Sequence, residues 1–443
     1  MEFPSSKADW LTVREALDRI LAGAAPLDPV PVPLMDAVGR VLAEDVTAAV
    51  DLPPWDNSAM DGYAVLGAEL ETMPPGGLAL PVDGEVRAGA PPRDAPPPGH
   101  AVRIMTGAPV PPPLDTVIRV EDTDGESGRP GTVVIHSARD RGRHIRPGGQ
   151  DMRRGDLLLS AGAPLTPGRI GVLASAGRDP VAVHPPPRVT ILPTGDELRV
   201  PADFADVEAG LAIPESNGPV LSAVCRQLGL PSTLLPPAPD DDRALHEALD
   251  RAMEGDVLVT LGGASMGTAD RVKSVLAERD FRLDFWRVLM RPGSPFSFGT
   301  LPRNQGAPPL PVFGLPGNPA SAFVTFHLLV RPFLLRRAGR RRIHLPVVRA
   351  RAGHEFPTHP SRTQFVRVIL EDGDDRGGTT ARRTGPQGSG LVRSVADAHG
   401  LAVVPAGADR WPAGTEMTVL RLMAGVEDNI ETPDYQDRVD GPA

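Results

Sequence analysis

The stretch Asp256-Val-Leu-Val-Thr-Leu261-Gly-Gly-Ala-Ser-Met-Gly-Thr-Ala-Asp270 decides the fold of this chain. It begins with an apolar run and continues into a loop of small residues. Apolar residues then recur at helical spacing, at Val272, Val275 and Leu276. The pattern predicts a strand, a glycine loop and a helix, with free backbone N–H groups that favour an anion. A plain structural turn is an equally good interpretation of this segment alone.

A second unit of the same kind follows. The apolar run Val312-Phe-Gly-Leu315 leads into the turn Pro316-Gly-Asn-Pro319 and another helical pattern. Upstream, from Arg188, predicted strands and helices also alternate, and Asn217 is expected to cap one of the helices. Alternation over roughly 150 residues predicts a doubly wound parallel sheet, with a phosphate-bearing ligand at the carboxyl ends of its strands.

Composition limits the function classes. The chain has 443 residues and a formal net charge of −10, and no basic block is large enough to predict nucleic-acid binding. The single Cys225 excludes an internal disulfide and a multi-cysteine metal site. No apolar run reaches the ~18 residues of a membrane span, and the first residues lack the apolar core of a signal peptide. We therefore expect a cytoplasmic, multidomain protein without nucleic-acid or membrane partners.

The segments on either side of the α/β region predict smaller β domains. Short β-like runs separated by Gly and Pro lie between residues 80 and 160, and others lie between residues 347 and 404. The segment from Thr12 to Ala22 has the spacing of an amphipathic helix. The basic run from Arg336 to Arg342 is interpreted as a polar linker.

Six short motifs carry the most specific information. In chain order they are Asp56-Asn-Ser-Ala-Met-Asp-Gly-Tyr63, Ile104-Met-Thr-Gly-Ala-Pro109, Thr194-Gly-Asp-Glu-Leu198, Gly262-Gly-x-Ser-x-Gly267 with Ala269-Asp270, Gly314-Leu-Pro-Gly-Asn-Pro319 and Gln387-Gly-Ser-Gly390. Together, and in this order, they resemble the MoeA family of molybdopterin molybdenumtransferases, which includes the gephyrin E domain.

The resemblance implies a multidomain α/β plus β fold. It predicts an elongated homodimer in which a MogA-like doubly wound α/β domain accompanies two interwoven N-terminal domains and a small C-terminal β domain. The expected bounds are 1–52 and 151–183 for the discontinuous first domain, 53–150 for the inserted β domain, 184–337 for the α/β domain, 343–425 for the C-terminal domain, and 426–443 for an acidic, disordered tail.

The resemblance also implies a reaction, the insertion of molybdate into adenylylated molybdopterin with release of AMP and a requirement for Mg²⁺. Glu197, Asp240 and Asp270 are then the expected catalytic carboxylates and Mg²⁺ ligands, because hard oxygen ligands suit Mg²⁺ beside a pyrophosphate. Three further positions match family residues that complete the cleft from the N-terminal domains, with either subunit as their source. They are Asp61, Thr106 and Asp151.

The matching motifs also name the residues expected to bind the pterin, its phosphates or the molybdate. They are Thr194, Gly195, Gly262, Gly263, Ser265, Gly267, Lys273, Arg287, Arg291, Pro316, Gly317, Asn318 and Pro319. The glycines are suited to close approach of the backbone to a phosphate, and the cations are suited to an oxyanion.

The chain departs from the family pattern at several of its cationic positions. Arginine stands at Arg287 and Arg291, and serine at Ser294, where the family usually has lysine. Thr268 replaces a usual glutamate. We expect Arg287 and Arg291 to lie four apart on one strand, facing the same pocket and sharing an oxyanion. Pairing with a local carboxylate such as Asp284 is the competing interpretation.

Two other functions stay open at this point. The α/β domain alone resembles MogA, which suggests a molybdopterin adenylyltransferase, although the additional domains argue against it. The altered cationic positions are also compatible with a non-catalytic, pterin-binding paralogue. The expected partners are a second copy of the chain, a MogA-type adenylyltransferase and maturation factors of molybdoenzymes.

Overall fold

A computed structural model of the chain describes residues 9–262, 271–303, 306–372, 378–407 and 410–422. Its centre is a six-stranded sheet in the α/β region. In spatial order the strands are Ser232–Leu234, Val189–Pro193, Val257–Leu261, Leu310–Leu315, Ser297–Leu301 and Arg282–Trp286. The first four are parallel, as predicted, whereas the last two neighbours are antiparallel. The sheet is therefore mixed, and its predicted parallel core is confirmed.

Helices cover both faces of this sheet. Because strand side chains alternate, Val257 and Val259 enter one hydrophobic cluster and Leu258 enters the other. The first face is covered by Val13–Ala22, Asn217–Gln227 and a long helix of three segments, Pro319–Thr325, Phe326–Val330 and Arg331–Arg337. The second face is covered by Asp242–Ala252 and Arg271–Glu278.

The start of one helix differs from the prediction. Asn217 is the first residue of helix Asn217–Gln227 and its side chain does not cap it. The carboxylate of Glu215 instead accepts a hydrogen bond from the N–H of Gly218 at 2.7 Å. A carboxylate at this position complements the positive end of the helix, and the amide of Asn217 is thereby released for another contact.

The N-terminal region is interwoven, as expected. A three-stranded sheet places Val181–His184 between Val30–Val32 and Val41–Leu42, so residues far apart in sequence share one sheet. A second sheet is formed by residues in between. Its strands, in spatial order, are Thr116–Arg119, Gly62–Val65, Ala101–Ile104, Leu78–Val86 and Thr132–Ile135.

Smaller elements complete this region. The helix Pro167–Ser175 and the 3₁₀ turns Leu34–Ala37, Gly67–Thr72 and Val120–Asp122 belong to it. Short strand pairs join Val46–Thr47 with Leu157–Leu159, and Asn57–Ser58 with Ile145–Arg146. In the α/β region, Leu198–Arg199 pairs with Ile213–Pro214, near the short helix Ala205–Glu208.

The C-terminal region is a small closed β barrel. Its strands, in spatial order, are Thr363–Asp372, Thr379–Arg383, Val347–Ala352, Glu416–Arg421 and Gly400–Val404, and the last pairs with the first. Met290–Arg291, from the α/β region, adds to Thr363–Asp372 in parallel. This strand links the two regions. Phe356–Pro357 pairs with Arg410–Trp411, and Arg393–Ala396 is a short helix.

The run from Arg336 to Arg342 is not the solvated linker that its composition suggests. Arg337 donates to the carbonyl of Ala25 at 3.2 Å, and Arg340 donates to the carbonyls of Gly39 and Leu228 at 3.3 and 3.5 Å. These arginines satisfy carbonyls of the N-terminal and α/β regions and so join the two. No helix in the described ranges is long and apolar enough to cross a membrane.

Candidate functional site

A cleft of about 340 Å³ opens at the carboxyl edge of the α/β sheet. This edge is where parallel α/β sheets bind ligands, because the loops that follow neighbouring strands converge there. The lining comprises Pro193, Thr194, Glu197, Leu198, Ile213, Pro214, Glu215, Ser216, Asn217, Leu261, Gly262, Gly317, Asn318 and Pro319. Six residues predicted from the motifs are therefore brought into one cleft. They are Thr194, Glu197, Gly262, Gly317, Asn318 and Pro319.

The floor of the cleft is built from two turns in close contact. The N–H of Thr194 donates to the carbonyl of Leu261 at 2.9 Å. Gly262 has a φ of +98°, and a Cβ atom placed on it would lie 2.8 Å from the carbonyl oxygen of Thr194. Gly195 also has a positive φ, of +142°. At Gly262 a side chain would push the two backbones apart, whereas at Gly195 it would collide with the carboxylate of Glu197.

A third turn closes the cleft. The amide Nδ2 of Asn217 donates to the carbonyl of Gly317 at 2.6 Å and so joins helix Asn217–Gln227 to the Pro316–Pro319 turn. Pro316, the first residue of this turn, is buried. The barrel reaches the same place, since the N–H of Ala320 donates to the carbonyl of Ser389 at 2.9 Å. Asn217 and Glu215 were not predicted as site residues, because each looks like an ordinary helix start in sequence.

The acidic end of the site contains Glu197, Asp240 and Asp196. The N–H of Asp240 donates to a carboxylate oxygen of Asp196 at 2.9 Å. Partial burial of the carboxyl group raises the pKa of Asp240, as do the nearby charges of Asp196 and Glu197, and Arg271 opposes the shift. The residue is otherwise exposed to solvent. Clustered like charges of this kind favour a cation between them.

The predicted Mg²⁺ set is described only in part. Asp270 lies outside the described residues, as do Gly263, Ser265, Gly267 and Thr268. Within the described part of the chain, no group of three or more His, Cys, Asp or Glu side chains is arranged to hold a metal ion. Glu197 and Asp240 are hard oxygen donors and fit Mg²⁺ in chemical kind, but the geometry of the three-carboxylate site stays a prediction.

The two predicted arginines do not lie on one strand. Strand Arg282–Trp286 ends before Arg287, which has a φ of +74°, and Arg291 belongs to a strand that pairs with the barrel. The expectation of a continuous strand was wrong because nothing in the sequence marks Arg287 for a left-handed backbone. The competing pairing with Asp284 is also wrong, because Asp284 pairs with Arg19 at 3.1 Å.

Arg287 is held between two indole rings. Its Cζ atom lies 4.7 Å from the ring centroid of Trp10 and 4.3 Å from that of Trp286. Lys273 also approaches Trp286, with its Nζ atom 5.4 Å from the ring centroid. Arg362 of the barrel lies 5.3 Å from the ring of Trp10. Sequence reasoning missed Arg362, because nearly all 46 basic residues are arginine and none stands out.

Ser294, where a lysine was expected from the resemblance, has a structural contact. Its hydroxyl is buried and donates to the carbonyl of Val288 at 2.9 Å. It closes the turn between the α/β sheet and the strand Met290–Arg291. The cationic end of the site therefore rests on arginines rather than on this position.

Two of the residues predicted from the N-terminal domains lie together. The N–H and the hydroxyl of Thr106 both donate to one carboxylate oxygen of Asp61 at 2.7 Å. These bonds, the backbone one first, lower the pKa of Asp61. Asp151 is elsewhere, in a separate cleft of about 650 Å³ beside helix Pro167–Ser175. None of the three lines the cleft of the α/β sheet.

Comparison with known proteins agrees with the motifs. The family descriptions "MoeA N-terminal region (domain I and II)", "Probable molybdopterin binding domain" and "MoeA C-terminal region (domain IV)" match residues 11–177, 190–336 and 349–422. A molybdopterin molybdenumtransferase 2 of Mycobacterium tuberculosis is 36% identical over 401 residues, or 89% of this chain and 95% of the relative.

Two further relatives extend the agreement. A molybdopterin molybdenumtransferase of a Nostoc species is 34% identical over 400 residues, covering 88% of each chain. The crystal structure of a MoeA molybdopterin biosynthesis protein of Pyrococcus horikoshii superimposes with a TM-score of 0.78 at 30% identity, covering 93% of this chain and 99% of that one. The chain therefore belongs to the MoeA family.

Proposed function

We propose that this protein is a molybdopterin molybdenumtransferase that inserts molybdate into adenylylated molybdopterin and releases AMP. The observation that carries the proposal is the cleft at the carboxyl edge of the α/β sheet, which combines Thr194, Glu197, Gly262 and the Gly317–Pro319 turn. The curated relatives that match most of the chain are named for this transfer of molybdenum to molybdopterin.

The order of the strands gives the site two ends of opposite charge. Asp196 and Glu197 follow strand Val189–Pro193, and Asp240 follows its edge neighbour Ser232–Leu234. Arg287 follows strand Arg282–Trp286, four strand spacings from Val189–Pro193. At about 4.8 Å per spacing this is roughly 19 Å in a flat sheet. An extended ligand with phosphates near one end and a metal-binding dithiolene near the other suits such a separation.

At the acidic end, Glu197, Asp240 and Asp270 are proposed to hold Mg²⁺. When bound, the ion would neutralise charge that develops at the scissile phosphoryl group. The turns at Thr194, Gly195 and Gly262 would hold the phosphates through backbone N–H groups. The repulsion that raises the pKa of Asp240 supports this assignment, because a cation would relieve it.

At the cationic end, Arg287 and Arg291 are proposed to hold molybdate, with Lys273 and the newly identified Arg362 nearby. Within the described ranges, none of the ion pairs includes Arg287, Arg291 or Arg362. Cationic donors without a carboxylate are suited to an oxyanion.

We further propose that the enzyme acts as a cytoplasmic homodimer. Asp61, Thr106 and Asp151 do not reach the α/β cleft of their own chain, and a second subunit could bring them to it. A MogA-type adenylyltransferase would supply the substrate, and maturation factors of molybdoenzymes would receive the product. Light scattering is expected to show a dimer at micromolar concentration, and an active monomer would contradict this proposal.

One assay tests the function. Purified protein, adenylylated molybdopterin, Mg²⁺ and molybdate are expected to yield AMP and a molybdenum-loaded pterin. An adenylyltransferase would instead make adenylylated molybdopterin from molybdopterin and ATP, and a non-catalytic paralogue would bind the pterin without releasing AMP. Either result would refute the proposal. The matches outside the α/β region favour the transferase over both alternatives.

A further inference from the structure

Trp10 is fixed beside the cationic end of the site by backbone hydrogen bonds. The N–H of Leu11 donates to the carbonyl of Arg287 at 3.4 Å, and the N–H of Leu289 donates to the carbonyl of Leu11 at 2.8 Å. These bonds pin the N-terminal segment along residues 287–289. The Trp10 side chain is only 8% exposed. Its position therefore depends on the same backbone that carries Arg287.

The ring of Trp10 contacts two guanidinium groups from different parts of the chain. Arg287 lies 4.7 Å and Arg362 lies 5.3 Å from its centroid, both within the roughly 6 Å range of a cation–π contact. Trp286 contacts Arg287 at 4.3 Å as well. The Arg287 guanidinium thus lies within cation–π range of two indoles, and a delocalised, weakly hydrated guanidinium suits such a contact better than an ammonium group does.

Several donors in this group are unsatisfied. Among the described residues, the Nε1 atom of Trp10 and the Nε atoms of Arg287 and Arg362 are buried and have no hydrogen-bond acceptor. Burial lowers the pKa of Arg287, and the charge of Arg362 lowers it further. Among the described residues no carboxylate forms an ion pair with either cation, and the indole N–H beside them is buried and unpaired, so this group calls for an anionic acceptor.

We propose that Trp10 is a positioning residue for the oxyanion, because its ring lies within cation–π range of both Arg287 and Arg362 and holds their guanidinium groups side by side. The inference rests on the proposed function, in which this end of the site holds molybdate. Positive charge is then not the only requirement at these positions. At Arg287 the planar shape matters too, so a lysine is not an equivalent replacement.

The first test measures how AMP release depends on molybdate concentration. Trp10→Leu is expected to raise the KM for molybdate roughly 3- to 30-fold, the equivalent of losing one or two cation–π contacts. The kcat at saturating molybdate should stay within about twofold, because the phosphoryl end is untouched. Trp10→Phe keeps a ring and should restore most of the affinity. Trp411→Leu removes an indole from the barrel and is the matched control, with an unchanged KM.

A double-mutant cycle separates positioning from general packing. If Trp10 acts partly through Arg287, Trp10→Leu should raise the KM less in an Arg287→Gln background than in the wild type, since the contact with the Arg287 guanidinium is already gone and only the contact with Arg362 remains. Additive effects, or an unchanged KM in Trp10→Leu, would overturn the inference. If Trp10→Leu does not fold, the same cycle is run with Trp10→Met, which also lacks a ring, with the same criterion of non-additivity.

Equilibrium dialysis with labelled molybdate alone distinguishes this inference from the proposed function. Weaker retention by Trp10→Leu than by the wild type supports positioning even if the wild type releases no AMP, in which case only the proposed function fails. Equal retention by the two proteins refutes the positioning role whether or not the enzyme is active.

Discussion

The contact between Gly262 and the Thr194 turn can be tested by a single methyl group. Gly262 has a φ of +98°, and a Cβ atom added to it would meet the carbonyl oxygen of Thr194 at 2.8 Å and its hydroxyl oxygen at 2.9 Å. A left-handed backbone costs an L-residue about 1–2 kcal/mol, and overpacking adds about 1–3 kcal/mol. Gly262→Ala is therefore expected to destabilise the protein by about 2–5 kcal/mol.

Gly229 provides a matched control for the backbone part of this cost. It has a φ of +72°, and a Cβ placed on it would have nothing within 4 Å. Gly229→Ala should cost only about 1–2 kcal/mol. The difference between the two variants, measured by urea denaturation, isolates the close approach of the two turns. We expect Gly262→Ala also to weaken binding of molybdopterin, because the Thr194 turn must move, and Gly229→Ala to leave binding unchanged.

An equal loss of stability in the two variants would contradict the close contact between Gly262 and the Thr194 turn. Wild-type binding of molybdopterin by Gly262→Ala would show that the floor of the cleft does not depend on this contact. A loss of binding in Gly229→Ala would show instead that the α/β region responds to strain far from the cleft.

Three other predictions concern named contacts. Asp240→Asn should abolish AMP release yet raise the melting temperature measured at pH 7 without Mg²⁺. The pKa of Asp240 is raised in the folded state, so its carboxylate destabilises the fold above that pKa. The gain in melting temperature should therefore vanish below about pH 3.8, where the carboxyl group is protonated in both states. Asn217→Ala removes the 2.6 Å bond to Gly317 and should cost about 1 kcal/mol of stability by urea denaturation, with weaker pterin binding by calorimetry. Arg291→Gln should strongly raise the molybdate concentration needed for AMP release, whereas Arg291→Lys should keep substantial activity. If Arg291→Gln depends on molybdate concentration as the wild type does, the oxyanion binds elsewhere.

The parts of the fold set by local patterns could be predicted from the sequence. Strand Val257–Leu261 and helix Arg271–Glu278 follow from apolar spacing over a dozen residues. The cleft residues Thr194, Glu197 and Gly262 were named from the family motifs rather than from local spacing, and the structure places all three in the lining of one cleft.

The parts set by distant contacts could not be predicted. Trp10 meets Arg287 across most of the chain, and no local pattern links the two residues. The left-handed backbone of Arg287 has no sequence signature, since glycine and asparagine are the residues that usually mark it. The run from Arg336 to Arg342 looks solvated by composition, but two of its arginines, Arg337 and Arg340, donate hydrogen bonds to carbonyls of distant segments.

The distribution of charge is the physical basis of the proposed site, which has an acidic and a cationic end. Carboxylates next to arginines would pair with them and leave neither available. Here the acids follow the strands at one side of the sheet, whereas Arg287 follows the strand at the opposite edge, and the nearest acidic residue in that strand, Asp284, is held by Arg19. Arg271 offsets part of the acidic charge, but the separation leaves charge at each end for the proposed ligands, a cation at Asp240 and an oxyanion at Arg287. The strand order, more than any single residue, keeps the two ends apart.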